Sequence, residues 1–177
     1  GGFNVNSTSK KAWQAIFSSL RKVDVEYFSN SGSKQTAQVE NTFSRFMSPS
    51  NEADQAFGSF RNLSDDKIES LAEKMVEQVK TRGPFMGLAD FVNRRLSDEN
   101  EKGTDLGAVG ALQAAIEAAG LNDGQWTVKP TASNVENVNY EAGGKSRTLS
   151  TYAGTSGYLM QADILTSIGG NLSARSD

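Results

Sequence analysis

The longest periodic stretch of the chain is 65–82, where Ile68, Leu71, Ala72, Met75, Val76 and Val79 recur at three- and four-residue spacing and line one apolar face. The spacing predicts a helix. Ser64 stands at its N-cap, Asp65 and Asp66 lie at the positive end of its dipole, and Lys80 and Arg82 lie at the negative end. Gly83 fits a left-handed position just past the last turn, and Pro84 forbids continuation. Trp13, Ile16, Phe17 and Leu20 make a shorter stripe, so a first helix is expected from a cap among Ser7, Thr8 and Ser9 to about Arg21. A second helix after the corner, about 87–96, presents Leu88, Phe91, Val92 and Leu96. The acidic run at 98–102 reads as a solvated loop. A further helix starts near Thr104 or Asp105, carries Leu106, Val109, Leu112 and Ile116, and stops at Gly120. The last runs from Tyr158 or Gln161 to Ile168, with Leu165, Ile168 and Leu172 inward and Gly169-Gly170 ending it.

Between these helices the pattern fades. Residues 23–28 alternate apolar and acidic positions and predict a short strand, whereas 29–42 are polar without a period and read as a mobile loop. From 43 to 60 the chain sets Phe43, Phe46, Met47, Phe57 and Phe60 among polar residues, with Pro49 in the middle. Residues 121–157 scatter Trp126, Val128, Tyr140 and Tyr152 among Asn, Gly, Ser and Thr. The expected fold is mainly α: about five helices with a helix-hairpin-helix-like corner, long irregular Gly/Ser/Asn-rich connections and at most a few short strands. One domain spans 1–177, with room for an irregular insertion at 29–60 and a long loop region at 123–157.

Composition narrows the chemistry more than the fold. At 177 residues the chain is long enough to bury a sizeable core. Eighteen basic and 21 acidic residues give a net charge of −3 without long single-sign blocks, which disfavours a polyanion as partner. With no histidine and no cysteine, Ser-His-Asp and His-metal hydrolysis, thiolate nucleophiles, zinc-thiolate sites and disulfides are all excluded. No apolar run approaches the roughly 20 residues that span a bilayer, and no basic-then-apolar leader opens the chain. No cofactor is implied.

The segment 80–96, KTRGPFMGLADFVNRRL, carries the most specific pattern. It is similar to the second half of a helix-hairpin-helix unit, in which backbone amides at a Gly-rich turn meet phosphate. Here Pro84 has no N–H and Phe85 is bulky. Arg82, Arg94 and Arg95 are the candidate basic patch, and Arg82, Gly83, Pro84, Phe85, Arg94 and Arg95 the candidate interaction or structural corner. The favoured reading makes Phe85 a plug between two helices, with the arginine stems covering apolar surface and their heads paired with acids. Other candidates fall away. Asp65-Asp66 answers to helix-start electrostatics, and Asp98, Glu99 and Glu101 lack the spacing and turn glycine of a calcium loop. Gly143-Gly144-Lys145-Ser146 lacks the earlier glycine of a phosphate loop, Asn139 standing there instead. Asn6, Asn62 and Asn171 open Asn-x-Ser/Thr triplets, which matter only in a glycosylating pathway.

Three groups of residues carry a family resemblance: FNVNSTSKKAW at 3–13, RGPFMGLADFVNRRL at 82–96 with GALQAAIEAAGLN at 110–122, and GYLMQADILTSIGGNLSARSD at 157–177. Together they resemble the C-terminal portion of a large verrucomicrobial envelope protein encoded in cassettes with prepilin-like proteins. More distantly, the order of parts is similar to the K-type minor pseudopilin of type II secretion, a mostly α periplasmic domain with an Asn-x-Asn-Thr-like segment. Phe3, Asn4, Asn6 and Ser7 match that segment, with Val5 between them. The family pattern continues past Arg175-Ser176-Asp177, so the chain is expected to be truncated. The resemblance implies a cell-envelope, periplasmic or cell-surface setting and a non-enzymatic structural or docking role in a pilin-like or secretion-like assembly. Its partners would be other envelope or pilin-like proteins, and it supplies no catalytic residue. The rivals are a helix-hairpin-helix nucleic-acid binder and a hydrolase using carboxylates alone.

Overall fold

The apolar face at 65–82 folds as its spacing requires, and the other helices gather around it. The structure is a computed structural model that describes residues 2–28, 33–44, 60–95, 109–122, 140–142, 145–147 and 159–175. In chain order the elements are β1 (Phe3–Asn4), α1 (Lys10–Phe17), β2 (Arg21–Phe28), β3 (Lys34–Ser44), β4 (Phe60–Leu63), α2 (Asp65–Arg82), α3 (Leu88–Val92), α4 (Ala111–Ala118), β5 (Tyr140–Ala142), β6 (Lys145–Arg147), α5 (Gln161–Ile168) and β7 (Leu172–Ser173). A 3-10 turn, Gly169–Asn171, joins α5 to β7.

Five helices are present, but so are seven strands in three sheets among the described residues, so the fold is mixed α/β and not mainly α. The largest correction is the polar segment read as a loop. Its residues from Lys34 onward form β3, which pairs antiparallel with β2 from Arg21↔Asn41 to Phe28↔Lys34 and with β4 from Asn41↔Leu63 to Ser44↔Phe60. The alternation at 23–28 does form a strand, two residues longer at its start than its pattern predicts. Within 29–60, Lys34–Ser44 and Phe60 lie in regular sheet. β5 and β6 pair antiparallel as a two-stranded sheet inside the region expected to be irregular, and β1 and β7 form a two-stranded parallel ladder.

α1 starts where its cap was expected: the Ser9 hydroxyl accepts from the Ala12 N–H. It stops at Phe17, earlier than Arg21, because the chain turns through Ser18 and Ser19 and enters β2 with Lys22 in the left-handed region at φ 57°. Leu20 is consequently outside the helix and exposed. Lys10 reaches across to Glu69 at 2.8 Å and Glu73 at 3.0 Å on α2, which aligns the two helices. Those two carboxylates hold the Lys10 ammonium above its ordinary value. α3 spans only Leu88–Val92, and α4 begins at Ala111 instead of near Thr104. Gly120, at φ 63°, does end α4 in the left-handed conformation its position suggested.

The core lies between α1, α2, α4 and α5, with Trp13, Phe17, Leu71, Met75, Ile116 and Ile164 at its centre. An aromatic row runs through it. Trp13 meets Phe3 edge-on at 4.6 Å, Phe17 at 5.3 Å and Phe91 at 6.1 Å, and Phe91 meets Phe85 edge-on at 5.3 Å. β1, α1, α3 and the corner after α2 are thereby packed as one unit. The expectations at Phe46, Met47, Pro49, Phe57, Leu96, 98–102, 104–106, Trp126, Val128, Tyr152 and Tyr158 lie outside the described residues.

Candidate functional site

The corner after α2 is built by close approach. Gly83 is extended, at φ −73° and ψ 173°, not left-handed as its place after the helix suggested. Its glycine requirement has another cause: the Gly83 N–H donates to the Val79 carbonyl at 2.8 Å, and a Cβ at Gly83 would stand 2.5 Å from that same oxygen. Only a residue without a side chain lets the chain leave the helix so close to its last turn. Pro84 follows through a cis peptide bond. Ser64, at the other end of α2, occupies the N-cap position but its hydroxyl makes no capping bond.

Phe85 fills the angle between α2 and α3 and is 2% exposed. Its backbone is held by a residue 79 positions earlier. The Phe85 N–H donates to Asn6 Oδ1 at 2.6 Å, and Asn6 Nδ2 donates back to the Phe85 carbonyl at 3.0 Å. The side-chain amide of Asn6 thus pairs with Phe85 as a neighbouring strand would, donor to acceptor and acceptor to donor. Asn6 Nδ2 also donates to the Ala174 carbonyl at 3.4 Å, beyond β7. Asn4 orients this residue, its Oδ1 accepting from the Asn6 N–H at 2.9 Å, and the Ser7 carbonyl accepts from Trp13 Nε1 at 2.7 Å. Asn4 and Asn6 from one sequence pattern and Phe85 from the other thus form a single clamp, while Phe3 and Ser7 reach Trp13 instead.

The arginines do not gather into one patch. Arg82 is 3% exposed, its Nε donating to Gln78 Oε1 at 2.6 Å and its Nη1 to the Val109 carbonyl at 2.7 Å. Arg95 forms a two-pronged pair with Asp90, Nε to Oδ1 at 3.1 Å and Nη2 to Oδ2 at 2.9 Å, and its guanidinium lies 5.6 Å from the centre of the Phe85 ring. Hydrogen bonding from Arg95, opposed by partial burial and helped by the Met86 N–H, holds the Asp90 carboxyl below its usual range. Arg94 is exposed. At the tip, Met86 is 88% exposed and Leu88 is 40% exposed. Among the described residues, the exposed tip of the corner is therefore apolar, and Arg94 and Lys80 are exposed cations on the flanking segments.

Sequence reasoning missed a second clamp of the same kind. Asn122 Nδ2 donates to the Leu159 carbonyl at 3.0 Å and its Oδ1 accepts from the Leu159 N–H at 2.6 Å, tying the end of α4 to the entry of α5. It also missed Asn41, which is fully buried on β3 and donates through Nδ2 to the Leu63 carbonyl at 2.9 Å and to Asp65 Oδ1 at 3.0 Å. Asp65 further pairs with Arg21, so one of the two acids assigned to helix-start electrostatics also fastens the sheet to α2. Among the described residues no three acidic side chains converge as metal ligands, and no helix is long and apolar enough to cross a membrane. Asp98, Glu99 and Glu101 lie outside the described residues, as do Gly143 and Gly144, while Lys145 and Ser146 lie on β6.

No known protein family, characterised protein or solved structure matches the chain.

Proposed function

We propose that the chain is a non-enzymatic structural and protein-docking module of a pilin-like or secretion-like assembly of the cell envelope. The observation that carries the reading is the clamp. Asn6 and the Phe85 corner, which hold two of the segments behind the resemblance, spend their polar groups on each other. Arg82 and Arg95 are likewise engaged within the fold. What the corner offers outward is Met86, a flexible apolar side chain of the kind that serves as an anchor in protein interfaces.

A pull-down from envelope extracts with the wild-type chain and with Met86→Asp tests this. The wild type should retain an envelope or pilin-like component under mild conditions, and the variant should lose it while keeping its fold. Recovery of no envelope component by the wild type would contradict the reading. Duplex DNA at about 50 mM salt is the companion assay. No binding is expected, whereas salt-sensitive binding abolished by Arg94→Ala would replace the docking role with nucleic-acid recognition.

A further inference from the structure

We propose that the domain is a tension-bearing module, closed by a shear clamp between its two ends. β1 and β7 are parallel, in the register Phe3↔Leu172 and Asn4↔Ser173. In a parallel pair, drawing the first strand out by its N-terminal side and the second by its C-terminal side pulls in opposite directions along one axis. Force applied through the two ends therefore loads all the cross-strand bonds together. An antiparallel terminal pair would instead open one bond after another.

Three features make this ladder stronger than its length. The Val5 N–H donates to the Ser173 carbonyl at 2.8 Å, and Asn6 Nδ2 to the Ala174 carbonyl at 3.4 Å, so the pairing continues past the strands. Val5 and Leu172 are buried and the Phe3 ring packs on Trp13, so neither strand can slide without drawing apolar side chains out of the core. Asn6 also ties the ladder sideways to the corner through its two bonds with Phe85. The helices and the β2-β3-β4 sheet lie between the two strands in sequence and are shielded from the load until the ladder ruptures. The inference adds a mechanical role to the docking role and is independent of which partner is docked.

The chain has no cysteine, so single introduced cysteines give unique attachment points for force spectroscopy. Gly170 is exposed, a Cβ there meets nothing within 4 Å, and it lies just before β7, at the same end of the ladder as Gly2. Pulling between the two chain ends shears the ladder, whereas pulling between the N-terminus and Gly170→Cys peels the same bonds in turn. The shear geometry should rupture at roughly two- to threefold higher force, as expected when two or three bonds share a load instead of meeting it singly. Asn6→Ala should speed rupture at a fixed shearing force roughly ten- to hundredfold. Equal rupture forces in the two geometries would overturn the proposal, and this comparison requires no change at the clamp. A docking failure with a high shear force would leave the clamp standing, and the reverse result would leave only docking.

Discussion

Replacing Asn6 by alanine is the most informative single change, because the residue joins three distant parts of the chain. The substitution removes the acceptor of the Phe85 N–H at 2.6 Å, the donor to the Phe85 carbonyl at 3.0 Å and the longer bond to the Ala174 carbonyl at 3.4 Å. Stranding the Phe85 N–H beside a buried ring costs about 1–3 kcal/mol, and the two carbonyl bonds add about 1 kcal/mol together, the longer one little. The sum is about 2–4 kcal/mol, a large share of the stability of an ordinary domain. With a urea m-value of about 2 kcal/mol/M, the unfolding midpoint should fall by about 1–2 M with the slope unchanged. Asn4→Ala removes only the local bond to the Asn6 N–H and should cost about 1 kcal/mol. A midpoint shift below about 0.3 M for Asn6→Ala, or one no larger than that of Asn4→Ala, would refute the view that the clamp holds the corner.

Arg95→Ala should cost about 1 kcal/mol at neutral pH, since the pair is partly exposed and screened. Asp90 has a depressed pKa in the folded state, so its contribution is complete above the unfolded value and is lost as pH falls through the folded one. The variant's deficit in urea melts should therefore shrink below about pH 4, and a deficit constant from pH 7 to pH 3 would contradict the assignment. Gly83→Ala forces a Cβ to within 2.5 Å of the Val79 carbonyl and should lower stability by about 1–3 kcal/mol in a thermal melt. Gly87→Ala, where a Cβ meets nothing within 4 Å, is the matched control and should change it little.

α1, α2 and α5 were legible because each buries residues at helical spacing, whereas α4, buried at every position from Ala111 to Ile116, has no exposed face there to mark its start. α2 has its expected bounds, and α5 begins and ends at residues its pattern allowed. β3 was illegible for a physical reason: Lys34, Gln35 and Thr36 at its start are exposed in succession, as is Gln38, so alternation of buried and exposed positions starts only near buried Val39. Where β3 does enter the core, two of its buried residues are Asn41 and Thr42, which no hydrophobic pattern can reveal. The candidate site was half legible. Gly83, Pro84 and Phe85 announced a corner, and Phe85 is indeed buried within it, but Arg82 looked like a surface cation. Its burial depends on the Val109 carbonyl, 27 residues away, just as the role of Asn6 depends on Phe85. Such pairings are made by tertiary packing and leave no local period. The cue that was present in the sequence was the spacing of Asn4 and Asn6 next to a helix cap, an arrangement able to turn one side-chain amide inward while the other fixes it.

Native-state hydrogen exchange at the Phe85 amide tests the central claim most directly. This N–H belongs to no helix or strand and directly follows Pro84, so in a loose surface turn it would exchange quickly. If Asn6 clamps the corner to the terminal ladder, the Phe85 amide should exchange as slowly as the amides in the middle of α2 and become fast in Asn6→Ala. Rapid exchange at Phe85 in the wild-type chain, with α2 still protected, would contradict the account.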